Sequence, residues 1–239
     1  MILNGQVTAF RVGGPGFPQT LLAGFASDAP SEIWAAGHLA LLDHPKTGLF
    51  CSSQCPGSII LKTFDAITRM RDEGQVLIGG FHSVMEWECL GILLRGRQPV
   101  IWVPARTIVG MHLKPKLVPA FNAGRLLILS PFPPKDKRIA VALAEARNRF
   151  VGALADRVFV PHGAPGGKTA ALAHQLLSQG KEVYTIDDQF NRELIFMGAI
   201  PVANECVGPN GVVRSVKAEK RGTTLCRRLR TRSSKSSRN

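Results

Sequence analysis

The 239-residue chain has 45% hydrophobic residues and carries 30 Lys and Arg against 17 Asp and Glu, a formal net charge of +13. That apolar content supports a full buried core, so a wholly disordered chain is excluded, and no apolar run approaches the roughly 18–20 residues of a bilayer-spanning helix. Five cysteines without regular spacing argue against a disulfide framework, and Cys51 and Cys55 have no second pair to complete a zinc site.

The N-terminus shows no basic region followed by an apolar stretch and a small-residue cleavage site, so a cytoplasmic protein with reduced cysteines is expected. The charge is uneven. From Gly211 onward there are ten basic residues and one acid, Glu219. The body is therefore only mildly basic, and residues 205–239 form a serine-rich basic tail expected to be disordered in isolation.

Residues 1–18 are rich in glycine and proline and predict an extended lead-in. Residues 19–42 predict a short helix capped by Ser27 or Asp28, with Leu21, Leu22, Ile33, Trp34, Leu39 and Leu41 at packing positions. A short strand follows at 48–51 (GLFC), then the turn SSQCPGS. Ile60, Phe64, Ile67 and Met70 mark one apolar helix face, ended by Gly74. Further strands are expected at 76–78, 100–103 and 126–129, with a helix at 85–94 between the first two.

Ile139, Leu143, Ala146, Phe150 and Leu154 form a helical stripe. Asn148 either breaks that helix as a new N-cap or lies beside the stripe with Arg147. Residues 157–161 (RVFVP) read as a buried strand. They lead into the glycine turn 163–167 (GAPGG) and a helix from Lys168 with Leu172, Leu176 and Leu177 on one side. A strand at 182–186, a short helix at 191–197 and an extended piece at 199–202 complete the body.

Strand and helix alternate throughout. The fold class expected is α/β, an extended Rossmann-like, mostly parallel sheet with helices on both faces. The domain division expected is a lead-in at 1–42, the Rossmann-like domain at 43–204 and the tail at 205–239.

Ligands of such sheets bind beyond the carboxyl ends of the strands. The turns there are rich in Gly, Ser, His, Arg and Lys and almost free of acids, so the rim attracts anions. A strand that ends in glycines and opens a helix presents free N–H groups and the positive end of the helix dipole to one point. Gly166, Gly167, Lys168 and Thr169 are therefore candidate phosphate contacts. Ser52, Ser53 and Gly57 of the first turn, Gly80, His82 and Ser83 of the second, and Arg106 after the third strand join them. Arg147 and Asn148 hold either phosphate or loop carbonyls. Phe81 and Phe132, in rim turns, are candidates to stack on a base. Ser83 reads as an N-cap, and its neighbour His82 does not by itself make a triad, so no complete catalytic constellation is found.

Taken together, these turns resemble the DNA-processing protein DprA (Smf) family, in its short stand-alone form, over residues 17–202. The matching pieces are FPQTLLAGFASDAPSEIWAAGHLALL, GGFHSVMEWECLGILLRGRQPVIWVPAR, RNRFVGALADRVFVPHGAPGGKTA, GKEVYTI and NRELIFMGAIPV. The resemblance implies a Rossmann-like fold and single-stranded DNA bound at the rim. It also implies a homodimer, delivery of DNA to the RecA recombinase in DNA uptake and recombination, and neither cofactor nor metal.

Two departures stand out. Where many members carry Gly-Ser-Arg after the first strand, this chain has CSSQCPG. Where they carry Gly-Ile-Asp, it has GGFHSVMEWE, with Glu86 near the acid's place. The runner-up reading is a nucleotide-binding sensor of the same superfamily. A third is a LOG-like nucleoside-monophosphate phosphoribohydrolase, which PGGKTAALA resembles apart from lacking the catalytic glutamate.

Overall fold

The computed structural model describes residues 1–3, 5–15, 17 and 30–202. The expected cap at Ser27 or Asp28, the packing positions Leu21 and Leu22, and the basic tail lie outside the described residues.

Among the described residues, nine strands form one sheet. Strands β3 (Lys46–Leu49), β4 (Val76–Gly79), β5 (Val100–Trp102), β6 (Leu126–Ser130), β7 (Arg157–Val160), β8 (Val183–Ile186) and β9 (Ile200–Val202) are mutually parallel. Strands β1 (Thr8–Arg11) and β2 (Glu32–Ala36) extend the sheet antiparallel beyond β6, in the order β1-β2-β6-β5-β4-β3-β7-β8-β9.

Apart from β3 (KTGL), the central strands are short apolar runs without alternation because both of their faces are covered. Leu77, Ile78, Ile101, Leu127, Val158 and Phe159 are fully buried. Helices α1 (Gly57–Asp72), α2 (Val84–Leu93) and α3 (Val118–Asn122) contribute Ile59, Ile67, Leu90, Leu93 and Ala120 to one core. Helices α4 (Val141–Leu154), α5 (Lys168–Ser178) and α6 (Arg192–Phe196) bring Phe150, Val151, Ala173, Leu176 and Leu194 to the other. Full burial of each such side chain contributes about 1.5–3 kcal/mol.

Two expectations change. Residues 32–36 are a strand, not the end of a helix. Ile33, Trp34, Ala35 and Ala36 are all buried between β1 and β6, so they lack the alternation by which a half-buried strand is read. The expected stripe also loses Ile139, which lies before the start of α4 and is exposed; of the two readings of Asn148 the unbroken helix holds, with Arg147 on its buried side.

Candidate functional site

From β3 the chain steps through β4 and β5 to β6 on one side, then returns to place β7, β8 and β9 on the other. The strand order reverses between β3 and β7, where α/β folds open their ligand crevice. Ser52 ties the two sides together. Its N–H donates to the His162 carbonyl at 3.0 Å, and its Oγ accepts from the Ala164 N–H at 2.9 Å. Behind it, Asn191 Nδ2 donates to the carbonyls of Pro161 at 2.7 Å and Ile186 at 3.0 Å. That leaves Asn191 Oδ1 to accept from His162 Nδ1, 2.9 Å away.

The glycine turn is a type II turn. Pro165 occupies its second position, Gly166 its third with φ +66°, and the Gly167 N–H closes it on the Ala164 carbonyl at 2.9 Å. Helix α5 then starts without a side-chain cap, so no side chain takes up its first N–H groups. Lys168 is exposed and pairs with Glu145 of α4 at 2.8 Å. This hydrogen bond holds the Glu145 carboxyl below the usual carboxylate range. Glu145 is an acid that the turns alone do not reveal.

The second turn is organised by Glu86. It is buried in the first turn of α2, where it closes a capping box with Ser83. Its Oε1 accepts from the Cys51 N–H at 3.0 Å and its Oε2 from the His82 N–H at 2.8 Å, so one carboxylate joins the first and second turns. Phe81 sits at φ +45°, a left-handed conformation unfavourable for a bulky residue.

Over this turn lies Arg147, only 4% exposed. Its Nε donates to Asn148 Oδ1 at 2.7 Å and its Nη1 to the Val103 carbonyl at 3.3 Å. The guanidinium packs against Gly80, where any Cβ would overlap it. Burial pulls its pKa below the ordinary arginine value, and the Glu86 carboxylate opposes that shift.

Beneath Arg147 opens a cleft of about 400 Å³. Of the expected contacts, Gly80, His82, Ser83, Arg106 and Arg147 line it. Ser52, Ser53, Gly57, Asn148, Gly166, Gly167, Lys168 and Thr169 do not. Ser52 and the glycine turn instead flank the crevice between β3 and β7, so the candidates fall into two groups along one rim.

Phe81 and Phe132 turn inward, 3% and 5% exposed, and neither is offered to a base. The aromatics of the cleft wall are Phe81, Trp87 and Trp102; Trp87, Trp102, His112 and Lys114 were not foreseen as contacts. The sequence signal was present in Lys114-Pro115-Lys116 and in Trp87 on α2. Their proximity arises only from the fold.

Among the described residues no helix is long and apolar enough to cross a membrane, and no group of three or more His, Cys, Asp or Glu is placed to hold a metal.

Neither a family model nor a curated protein matches the sequence. Solved structures do match. DNA processing protein A (DprA) of Streptococcus pneumoniae superposes with a TM-score of 0.67 at 18% identity, covering 82% of this chain and 70% of that one. This chain has the DprA fold. DprA of Helicobacter pylori, which binds single-stranded DNA in a mode described as unique, gives a TM-score of 0.66 at 20% identity, covering 84% of this chain and 93% of that one. The DprA-like, mostly parallel sheet with helices on both faces agrees with the fold expected from the turns.

Proposed function

We propose that the protein binds single-stranded DNA along the rim of strand ends and acts in DNA processing and recombination, as a binding protein that carries out no covalent step. The observation that carries this reading is the Arg147 guanidinium lying on Gly80 at the mouth of the cleft. A buried arginine there is a fixed positive charge, backed by Asn148 and the Val103 carbonyl. The glycine turn and Lys168 continue the rim past the strand-order reversal, so a phosphate backbone meets cations and N–H groups in succession. The DprA fold supports the same reading. Dimer formation and transfer of DNA to the RecA recombinase in DNA uptake belong to the proposal.

The basic tail adds sequence-independent attraction that weakens steeply with salt. Fluorescence anisotropy with a labelled single-stranded oligonucleotide, at several salt concentrations, separates the two contributions. It compares the full chain, a chain truncated after Asn210, and the truncated chain with Lys168→Ala and Arg147→Ala. Retained binding by the truncated chain, abolished by the double change in a protein with unaltered circular dichroism, supports the rim. Loss of all binding on truncation alone refutes it and favours a sensor whose cleft takes a small nucleotide.

A further inference from the structure

The first turn, residues 51–57 (CSSQCPG), carries a pair of thiols that binding at the rim does not use. Cys51 follows β3 and is buried in the core covered by α1 and α2, and Cys55 is half-buried against the same core. Both are free thiols, and the Cys51 S–H donates a hydrogen bond to the Cys55 sulfur. Ser53 and Gln54 between them are exposed and belong to neither strand nor helix, so the turn can follow a movement of the two side chains. Among the described residues no third ligand joins the pair to hold a metal.

The thiols of this region are not equivalent. The hydrogen bond from Cys51 lowers the pKa of Cys55. Cys55 also stands immediately before Pro56, the N-cap of α1, where the helix dipole favours a thiolate. The same hydrogen bond raises Cys51, and burial and the nearby Glu86 carboxylate, which accepts from the Cys51 N–H, raise it further. Cys89 on α2 is pushed up to about 12 by burial and by Glu86. One thiol is thus reachable and activated, a second touches it and keeps its proton, and a third is buried and inert. An accessible low-pKa cysteine beside a partner thiol is the arrangement that oxidation by peroxide selects.

We infer that Cys55 and Cys51 form a reversible redox modification site, in which hydrogen peroxide oxidises Cys55 and Cys51 closes a Cys51–Cys55 disulfide. The Cys55 thiolate attacks one peroxide oxygen. The O–O bond breaks, Cys55 becomes a sulfenic acid, and the departing hydroxide takes up the proton that the thiol had released. The Cys51 sulfur then attacks the Cys55 sulfur. An S–S bond forms, the S–O bond breaks, and the Cys51 proton leaves with the hydroxyl group as water. Each sulfur gives up one electron and the peroxide takes both, so two thiols and one peroxide yield one disulfide and two waters. A small dithiol returns the pair to its reduced state by exchange. The bond closes on the turn that Glu86 ties to the second turn and Ser52 ties to the glycine turn. The site does not depend on what the rim binds.

The test uses the full chain, reduced and then treated with a modest molar excess of hydrogen peroxide. Trypsin cuts after Lys46 and Lys62, so both cysteines fall in one peptide, residues 47–62. The expected product, under non-reducing conditions, is that peptide two hydrogens lighter and resistant to iodoacetamide, restored by dithiothreitol. Cys89 remains alkylatable once the chain is unfolded. In Cys51→Ser a hydroxyl still donates to Cys55 but cannot close the bond, so Cys55 sulfenic acid accumulates and is captured by dimedone. In Cys55→Ser the thiol of Cys51 is lost to peroxide roughly tenfold more slowly or less, because the activated thiol is gone. Peptide 47–62 left fully alkylatable in the unsubstituted chain overturns the site. So does Cys55 bonded to Cys89, Cys206 or Cys226, or carried to the sulfinic acid while Cys51 stays a thiol. That reading of the unsubstituted chain needs no variant to fold.

Discussion

The most direct probe of the site is Gly80→Ala. Gly80 has an ordinary negative φ, so an alanine there meets no backbone penalty. Its Cβ, however, lies 2.6 Å from Arg147 Nε and nearer still to Cζ and Nη1. The arginine must leave. It then loses the 2.7 Å bond to Asn148 and the 3.3 Å bond to Val103. Hydrogen bonds to a charged group are worth about 1.5–3 kcal/mol each, and the longer one belongs at the low end. The displaced guanidinium moves into an open cleft and regains water, which offsets part of the loss. A net destabilisation of about 2 kcal/mol follows. With a urea m-value of about 2–3 kcal/mol/M, the unfolding midpoint falls by roughly 0.7–1 M. Gly57→Ala is the control. At the first residue of α1 an added Cβ meets nothing within 4 Å, and the change is neutral or slightly stabilising. Equilibrium urea unfolding followed by circular dichroism measures both. A Gly80→Ala midpoint within about 0.2 M of the parent refutes the claim that Arg147 is held over the second turn.

Three further outcomes follow from the same geometry. Asn191→Ala removes both donors to the Pro161 and Ile186 carbonyls and the acceptor for His162, all buried, and destabilises by about 2–4 kcal/mol in urea unfolding; a loss below about 1 kcal/mol contradicts the role given to this side chain. The Asp188 carboxyl is held below its usual pKa by the Lys62 ammonium at 2.8 Å, so the stability it adds is present above the unfolded carboxylate pKa of about 4 and disappears as pH falls through the lower folded value. Lys62→Met therefore costs about 0.5–1 kcal/mol at pH 7 and little near pH 2, and an equal cost at both pH values refutes the pairing. Among the described cysteines, the half-buried Cys55 has its pKa lowered by the Cys51 thiol, Cys51 is raised by the same hydrogen bond, and burial pushes Cys89 up to about 12. Iodoacetamide at pH 7.5, roughly a unit below the free thiol value, should label Cys55 before Cys51 or Cys89 in peptide mapping by mass spectrometry; equal labelling of the three contradicts this.

Much of the parallel sheet was legible because its signals are local. Most central strands are apolar runs between turn residues followed within a few residues by a helical pattern, as with 76–78 and the helix after it; β3 (KTGL) is the exception, and it starts two residues before the apolar run expected at 48–51. The glycine turn was legible for the same reason, since Pro165 and Gly166 dictate a type II turn on their own. The antiparallel edge was not. Strand β2 is buried on both faces and pairs with β6, nearly a hundred residues away, and nothing in EIWAA announces that partner.

What the sequence determined by itself is the order of elements, the Gly, Ser, His and basic composition of the rim turns and the uneven charge, all properties of neighbours in the chain. What only the tertiary structure decided is how the candidates divide. Arg147 rests on a glycine 67 positions earlier in the chain, Glu86 joins the first turn to the second, and Ser52 joins the first turn to the glycine turn. Phe81 turns inward although it sits in a rim turn, because a left-handed backbone at that residue redirects its side chain. Trp87 gathers Lys114 and Lys116 because α2 and the segment after β5 lie on the same face of the sheet. Contacts of this kind depend on packing between distant segments. Residue type and local spacing specify which groups are available, and burial of the two cores on either side of the sheet decides which of them meet.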